Sequence, residues 1–247
     1  MTGITFYDLA SNRGAMSPFT WRTRLALNYK GIAYKTHWLR FPEIEPYLKS
    51  IGAVPTEKNP LTGADLYTVP VVSFDGKLVV DSEAIAEHLE RAFPDGPTLF
   101  PPGTRALQKA FATFFMAQVF FPTGPVIGPG VPAIVDAESA EYVRALRRAP
   151  DGAPLDEWAP LGSEKRANAW TVAEDAWGKL AAVYCKSDGP GVWLSGTAPI
   201  YADFVVLGAL IFMAKVVTQE EWKVVTSWHD GLWGRLWQAG EPYMQAD

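Results

Sequence analysis

A serine followed by a proline opens the helix-like run "SPFTWRTRLALNYKG", which sets Ser17 at the N-cap and Pro18 at the first helical position. A hydroxyl there, with the first free N–H groups of the helix, can hold an anion above the helix end. The same pair is also an ordinary helix start, whose hydroxyl only caps the N–H two or three residues on. Asp81-Ser82 repeats the theme, putting an acid and a hydroxyl at a second helix start that suits a ligand carboxylate or plain capping. Val69-Pro70, between a loop and a hairpin, can simply start an edge strand.

Other chemistries find little support. Cys185 is the single cysteine of the 247 residues, so an internal disulfide and a cysteine metal cage are excluded. With no flanking His or basic cluster it reads as a buried small hydrophobe. His37, His88 and His229 lack metal-ligand spacing, so no metal is expected. Twenty-two basic against 27 acidic residues leave a net charge of -5, which gives no electrostatic reason to bind nucleic acid or an anionic membrane. The start "MTGITFYDLA" lacks the features of a signal peptide, making the cytoplasm the default. The apolar run Phe204 to Ala214 is too short to span a bilayer and reads as a helix buried on all sides.

These residues need elements to hold them. Ile4–Leu9 and Ile32–Leu39 are strand-like, and Phe19–Lys30 between them has helical spacing and stops at Gly31. A short helix at Glu43–Ser50 and a Gly/Pro/Asn-rich loop lead to Thr68–Val80, two strands joined at Asp75-Gly76. A helix over Ser82–Phe93 follows. The order β-α-β-α-β-β-α is that of a thioredoxin-like domain, residues 1–93. "PDGPTLFPPG" (94–103) is a linker, and residues 104–247 form an all-helical domain. Its expected helices are Thr104–Phe121, Ile134–Arg148, Ser163–Lys186, Ile200–Val217 and Glu220–Ala239, the earlier ones separated by "FPTGPVIGPGVP" and "APDGAPLDEWAPLG". A cleft between two unlike domains is a favoured ligand site.

"SPFTWRTRLALNYKGIAY" followed by "TVPVVSFDGKLVVDSEAIAEHLE" resembles the N-terminal domain of cytosolic glutathione transferases, and the helical remainder matches their second domain in length and order. "ITFYDLA", "WLRFPEIEPYLKSIGAVPT" and the loop before "YTVPVV" look most like the fungal etherase-like and fungal-specific class A enzymes, similar to bacterial lignin β-etherases. The resemblance implies a site for glutathione. Ser17 would stabilise its thiolate, with Tyr7, Asn12 and Thr20 as rivals for the activating hydroxyl or amide. A free thiol is only a few per cent ionised at neutral pH, and lowering its pKa by two units takes about 2.7 kcal/mol. No cysteine stands at position 17, which argues against thiol-exchange classes.

The resemblance also implies a cis Val69-Pro70 whose preceding backbone pairs with the cysteinyl part, and Asp81 and Ser82 at the γ-glutamyl end. Most relatives carry Glu where Asp81 stands, which shortens the reach. Lys58, Lys49 or Arg40 would meet the glycyl carboxylate. In the late helix, Ile200 occupies the place of the family's capping Ser or Thr before Asp203, so Thr197 or Pro199 is expected to supply the start. Phe19, Trp21 and the stripe Phe111–Phe121, Phe115 among them, are candidates for the electrophile pocket.

The reading is therefore a dimeric transferase. Its thiolate attacks an electrophilic carbon of a hydrophobic aromatic substrate, with detoxification or β-aryl ether cleavage as outcomes. The alternative is a carrier or sensor that binds glutathione or aromatic ligands without turnover.

Overall fold

The computed structural model describes residues 3–59, 62–146 and 152–246. A four-stranded sheet of order β2-β1-β5-β6 is built from β1 (Thr5–Leu9), β2 (Lys35–Leu39), β5 (Val71–Phe74) and β6 (Lys77–Val80). β1 runs parallel to β2 and antiparallel to β5, and β5 and β6 form the hairpin expected at Asp75-Gly76. Both turn residues have positive φ, 51° and 84°, the geometry an Asp-Gly turn favours. A small ribbon, β3 (Glu57–Lys58) with β4 (Asp65–Leu66), lies in the loop that the sequence left without strands. Its short, exposed, charged strands carry no hydrophobic alternation to read.

α1 (Pro18–Tyr29) and α3 (Ser82–Ala92) pack together, while α2 (Ile44–Ser50) follows β2. Pleating decides which face each β1 side chain serves. Asp8 meets Arg24 of α1 in a fully buried ion pair at 2.9 Å. Tyr7, pointing the other way, packs at a tilt against its β2 neighbour His37 and Tyr47 of α2, which stack on each other.

The second half holds α4 (Arg105–Phe115), α5 (Phe121–Ile127), α6 (Ala137–Leu146), α7 (Glu164–Tyr184), α8 (Tyr201–Val216) and α9 (Gln219–Gly240). The expected interruption "FPTGPVIGPGVP" is instead helical. A π turn at Met116–Phe120 ends where the Phe121 N–H reaches Met116 O, and a 3-10 segment continues over Gly128–Ile134. Pro122, next in line, has no N–H to give, so the ladder changes register where the proline would break it. By length and composition alone, Arg105–Ile134 is long and apolar enough to cross a bilayer. In this fold it packs on α7 and α8. The expected end of the α6 helix at Arg148 lies outside the described residues, as does the start of "APDGAPLDEWAPLG".

α8 is buried over Tyr201–Met213, as its composition predicts. Its start corrects the sequence reading, because neither Thr197 nor Pro199 caps it. The Asp203 carboxylate accepts from the Ile200 and Leu194 N–H groups and from the Tyr184 hydroxyl. α9 is broken at Trp228–Gly231, where His229, Asp230 and Gly231 are left-handed with φ of 52°, 58° and 72°. Five residues separate Trp228 from Trp233, which on a continuous helix puts them about 140° apart. The break turns both inward, onto Trp170 and Trp177. Cys185, expected inside, is exposed at the end of α7.

Candidate functional site

Ser17 is the N-cap of α1, with extended backbone and Pro18 in the first turn. Its Oγ accepts from the Thr20 N–H at 3.4 Å, longer than the usual 2.7–3.2 Å. Capping therefore occurs but is weak, and among the described residues no acceptor takes the Ser17 O–H. The rivals are occupied. Asn12 Nδ2 donates to Val135 O and Thr20 Oγ1 donates to Ser17 O, while Tyr7 lies on the opposite face of the sheet from Asp8. Burial and the Tyr47 phenol push the Tyr7 pKa above its ordinary value.

The Val69-Pro70 bond is cis. Among the described residues the Val69 N–H and C=O have no partner, so its backbone offers both a donor and an acceptor. The Asp81 N–H donates to Pro70 O, which joins this edge directly to the start of α3. Asp81 holds that start with Oδ1, accepting from Glu83 N–H and Ala84 N–H at 2.9 and 3.1 Å. Ser82 is buried beside the Tyr201 hydroxyl of α8. Val69, Pro70, Asp81 and Ser82 thus form one edge.

Two of the candidate cations, Lys58 and Lys49, lie around the loop leading to that edge. Lys58, on the exposed ribbon, pairs with Asp65. Lys49 pairs with Glu45 and sits 5.1 Å from the centre of the Tyr67 ring, two residues before Val69. Arg40 is tied to Glu43 and Glu138. Of the three aromatic candidates, Phe19 alone has an open ring, 36% exposed, and it meets Phe120 edge-on at 5.9 Å. Trp21 and Phe115 are interior residues, Trp21 bonding Ala15 O and Phe115 packing on Trp177. Phe121, exposed next to Phe120, extends the apolar surface instead.

Sequence reasoning missed Arg22 and Tyr201. Arg22 is one residue beyond the aromatic Trp21 in α1, where charge at helical spacing reads as a solvated face. In the fold it is buried against α8 and feels the charges of Asp81 and Glu83. Among the described residues no cluster of His, Cys, Asp and Glu is arranged to hold a metal ion.

The chain matches two family models, one described as the glutathione S-transferase N-terminal domain over residues 16–92 and one as the C-terminal domain over residues 106–243. A crystal structure of a glutathione S-transferase of Ceriporiopsis subvermispora in complex with glutathione is 36% identical, with a TM-score of 0.94, covering 100% of this chain and 99% of that one. A glutathione transferase from Phanerochaete chrysosporium is 34% identical with a TM-score of 0.91, covering 100% and 99%. A glutathione S-transferase-like protein of Aspergillus flavus is 28% identical over 98% of this chain and 91% of its own. A beta-etherase of Sphingobium, 19% identical with a TM-score of 0.56 over 97% of this chain and 98% of its own, shares the fold.

Proposed function

The chain belongs to the glutathione S-transferase family, and from that we propose that it binds glutathione over the Ser17, Val69-Pro70 and Asp81-Ser82 edge and transfers it to a hydrophobic aromatic electrophile. The observation that carries this reading is the Ser17 hydroxyl, weakly held as a cap and without an acceptor for its proton at the N-terminus of α1. Bound there, glutathione supplies a thiol whose anion is the nucleophile. Ser17 Oγ donates to the sulfur, and the helix N-terminus favours its negative charge. The unpaired Val69 N–H and C=O match the two backbone groups of a cysteinyl residue. Ser82 and the α3 N-terminus receive the γ-glutamyl carboxylate, with Asp81 beside its ammonium. Lys58 or Lys49 meets the glycyl carboxylate.

On the substrate side, Phe19 with Phe120 and Phe121 offers flat apolar surface next to Ser17 in sequence and space. Aromatic substrates follow, including β-aryl ethers, from which attack on the ether-bearing carbon forms a thioether and releases the aryloxy group as a phenol. The family's habit, a cytoplasmic homodimer serving detoxification, accompanies this reading.

The test is a pH titration of protein-bound glutathione, followed by thiolate absorbance, in the wild type and Ser17→Ala. The wild type is expected to ionise the thiol about two units below its free value, and Ser17→Ala to undo most of that shift. A bound thiol that titrates normally in the wild type would refute the catalytic role and leave a carrier of glutathione or aromatic ligands.

A further inference from the structure

Arg13 and Lys215 put two positive charges side by side where the fold supplies no negative one. Arg13, in the loop that delivers Ser17, is exposed, and Lys215, in the last turn of α8, is half-buried. Arg13 Nη1 donates to Lys215 O at 2.7 Å, and Lys215 Nζ donates to Arg13 O at 2.6 Å. Both acceptors are neutral carbonyls, and among the described residues neither cation forms an ion pair. Burial and the Arg13 charge push the Lys215 pKa below its ordinary value, and no acid among the described residues acts the other way. Like charges held this close repel, and an anion between them relieves the repulsion. The clasp spends one N–H of each side chain, which leaves the rest of the guanidinium fork and of the ammonium free to donate.

The pair stands at a substrate's reach from Ser17. Gly208 marks where α8 rests on the first turn of α1, since a Cβ there would meet Pro18 O. Lys215 is seven residues further along α8, which is two turns on the same face, about 10 Å away. The aromatic surface leads to the same place. The chain that begins at Phe120, against Phe19, ends at Ile134 and Val135, whose carbonyls accept from the backbone and side chain of Asn12, the neighbour of Arg13. On the way, Gly130 lies against the backbone oxygen of Val216, the residue after Lys215. Packed chain therefore joins the open Phe19 ring to two sets of unused cationic donors.

We propose that Arg13 and Lys215 form a subsite for a carboxylate borne by the aromatic electrophile, at the end away from the carbon that the thiolate attacks. The inference rests on the transferase reading above and narrows its substrates to acidic aromatics. The aryl ring lies along Phe19 and Phe120, and the carboxylate takes charge-assisted hydrogen bonds from both cations. The contact belongs to the electrophile and not to glutathione.

The test is equilibrium binding of two glutathione conjugates, S-(4-carboxyphenacyl)glutathione and its neutral isostere S-(4-carbamoylphenacyl)glutathione, with glutathione itself alongside. The wild type should favour the carboxylate by about tenfold, as two part-exposed charge pairs allow, and the preference should shrink as salt is raised. Arg13→Gln and Lys215→Gln should each lower the ratio several-fold and together bring it near one. A glutamine amide can still donate to the facing carbonyl, so the clasp itself is kept. Variants that weaken both conjugates alike and leave the ratio unchanged would show a purely structural clasp and overturn the proposal. So would a wild type that binds both conjugates equally, including one whose cation pair takes inorganic phosphate as a free anion. Should the double variant fail to fold, the single variants decide, and an unaltered ratio in both overturns it. Glutathione bound with no preference between the conjugates would sink this inference alone, whereas failure to bind glutathione would sink the transferase reading and this inference with it.

Discussion

Gly208→Ala is the sharpest probe of how the helical half fixes Ser17. A Cβ at Gly208 would lie 2.4 Å from the backbone oxygen of Pro18 and 3.5 Å from Arg22 Cγ. To open that contact even to 3.0 Å, α8 must withdraw by about 0.6 Å from the first turn of α1. The obstacle is main chain, which cannot swing aside as a side chain can. Overpacking of this kind costs about 1–3 kcal/mol, whereas alanine in a helix gains about 1 kcal/mol over glycine. The backbone clash places the cost at the upper end, giving a net loss of about 1–2 kcal/mol. Urea unfolding would measure it, with Gly124→Ala as the control, since nothing lies within 4 Å of a Cβ there. The same displacement moves Pro18 and its neighbour Ser17, so the bound thiol should ionise at higher pH in Gly208→Ala. A variant as stable as the wild type would refute the close approach. Lost stability with an unchanged thiol would show that α8 does not set the position of Ser17.

Two further outcomes follow from named groups. Burial pushes the Asp203 carboxyl up to about 7, with three donated hydrogen bonds acting the other way. A folded pKa above the unfolded value means that stability from this group is full below about pH 4 and is lost as pH rises through 7. The loss is at most about 4 kcal/mol. Asp203→Asn should flatten that slope in unfolding curves taken between pH 5 and 8, and an equally steep slope would exclude Asp203 as its source. Tyr7→Phe should leave the ionisation of bound glutathione unchanged, because the phenol belongs to the His37 and Tyr47 stack. A raised thiol pKa in that variant would restore Tyr7 as the activating group.

The parts of this fold that were legible in the sequence are those governed by local chemistry. Ser17-Pro18, Asp75-Gly76 and Asp81-Ser82 each form the cap or turn that their residues prefer. The all-apolar run of α8 announced its own burial. What failed depended on distant partners. Prolines 122 and 125 looked like breakers until the π turn shifted the ladder ahead of them. The break in α9, where Trp228 and Trp233 meet tryptophans of α7, left no mark in its own periodicity. Arg22 reads as a surface charge one residue from a core tryptophan, and only the packing of α8 against α1 removes it from water. Asp203 keeps its capping role without the usual Ser or Thr because the Leu194 N–H and Tyr184 hydroxyl come to it from outside the helix.

The loop that delivers Ser17 is fastened to chain made much later. Asn12 Nδ2 donates to Val135 O, 123 residues on, and Arg13 and Lys215 donate to each other's backbone oxygens across 202 residues. On a ribosome the sheet, α1 and α3 emerge first, and the loop before Ser17 waits unclasped until α8 is released. On the proposed role of Ser17, thiol activation is accordingly one of the last properties a newly made chain acquires. Half-made molecules would carry the glutathione edge without the means to arm it, keeping the nucleophile off until the whole chain is finished.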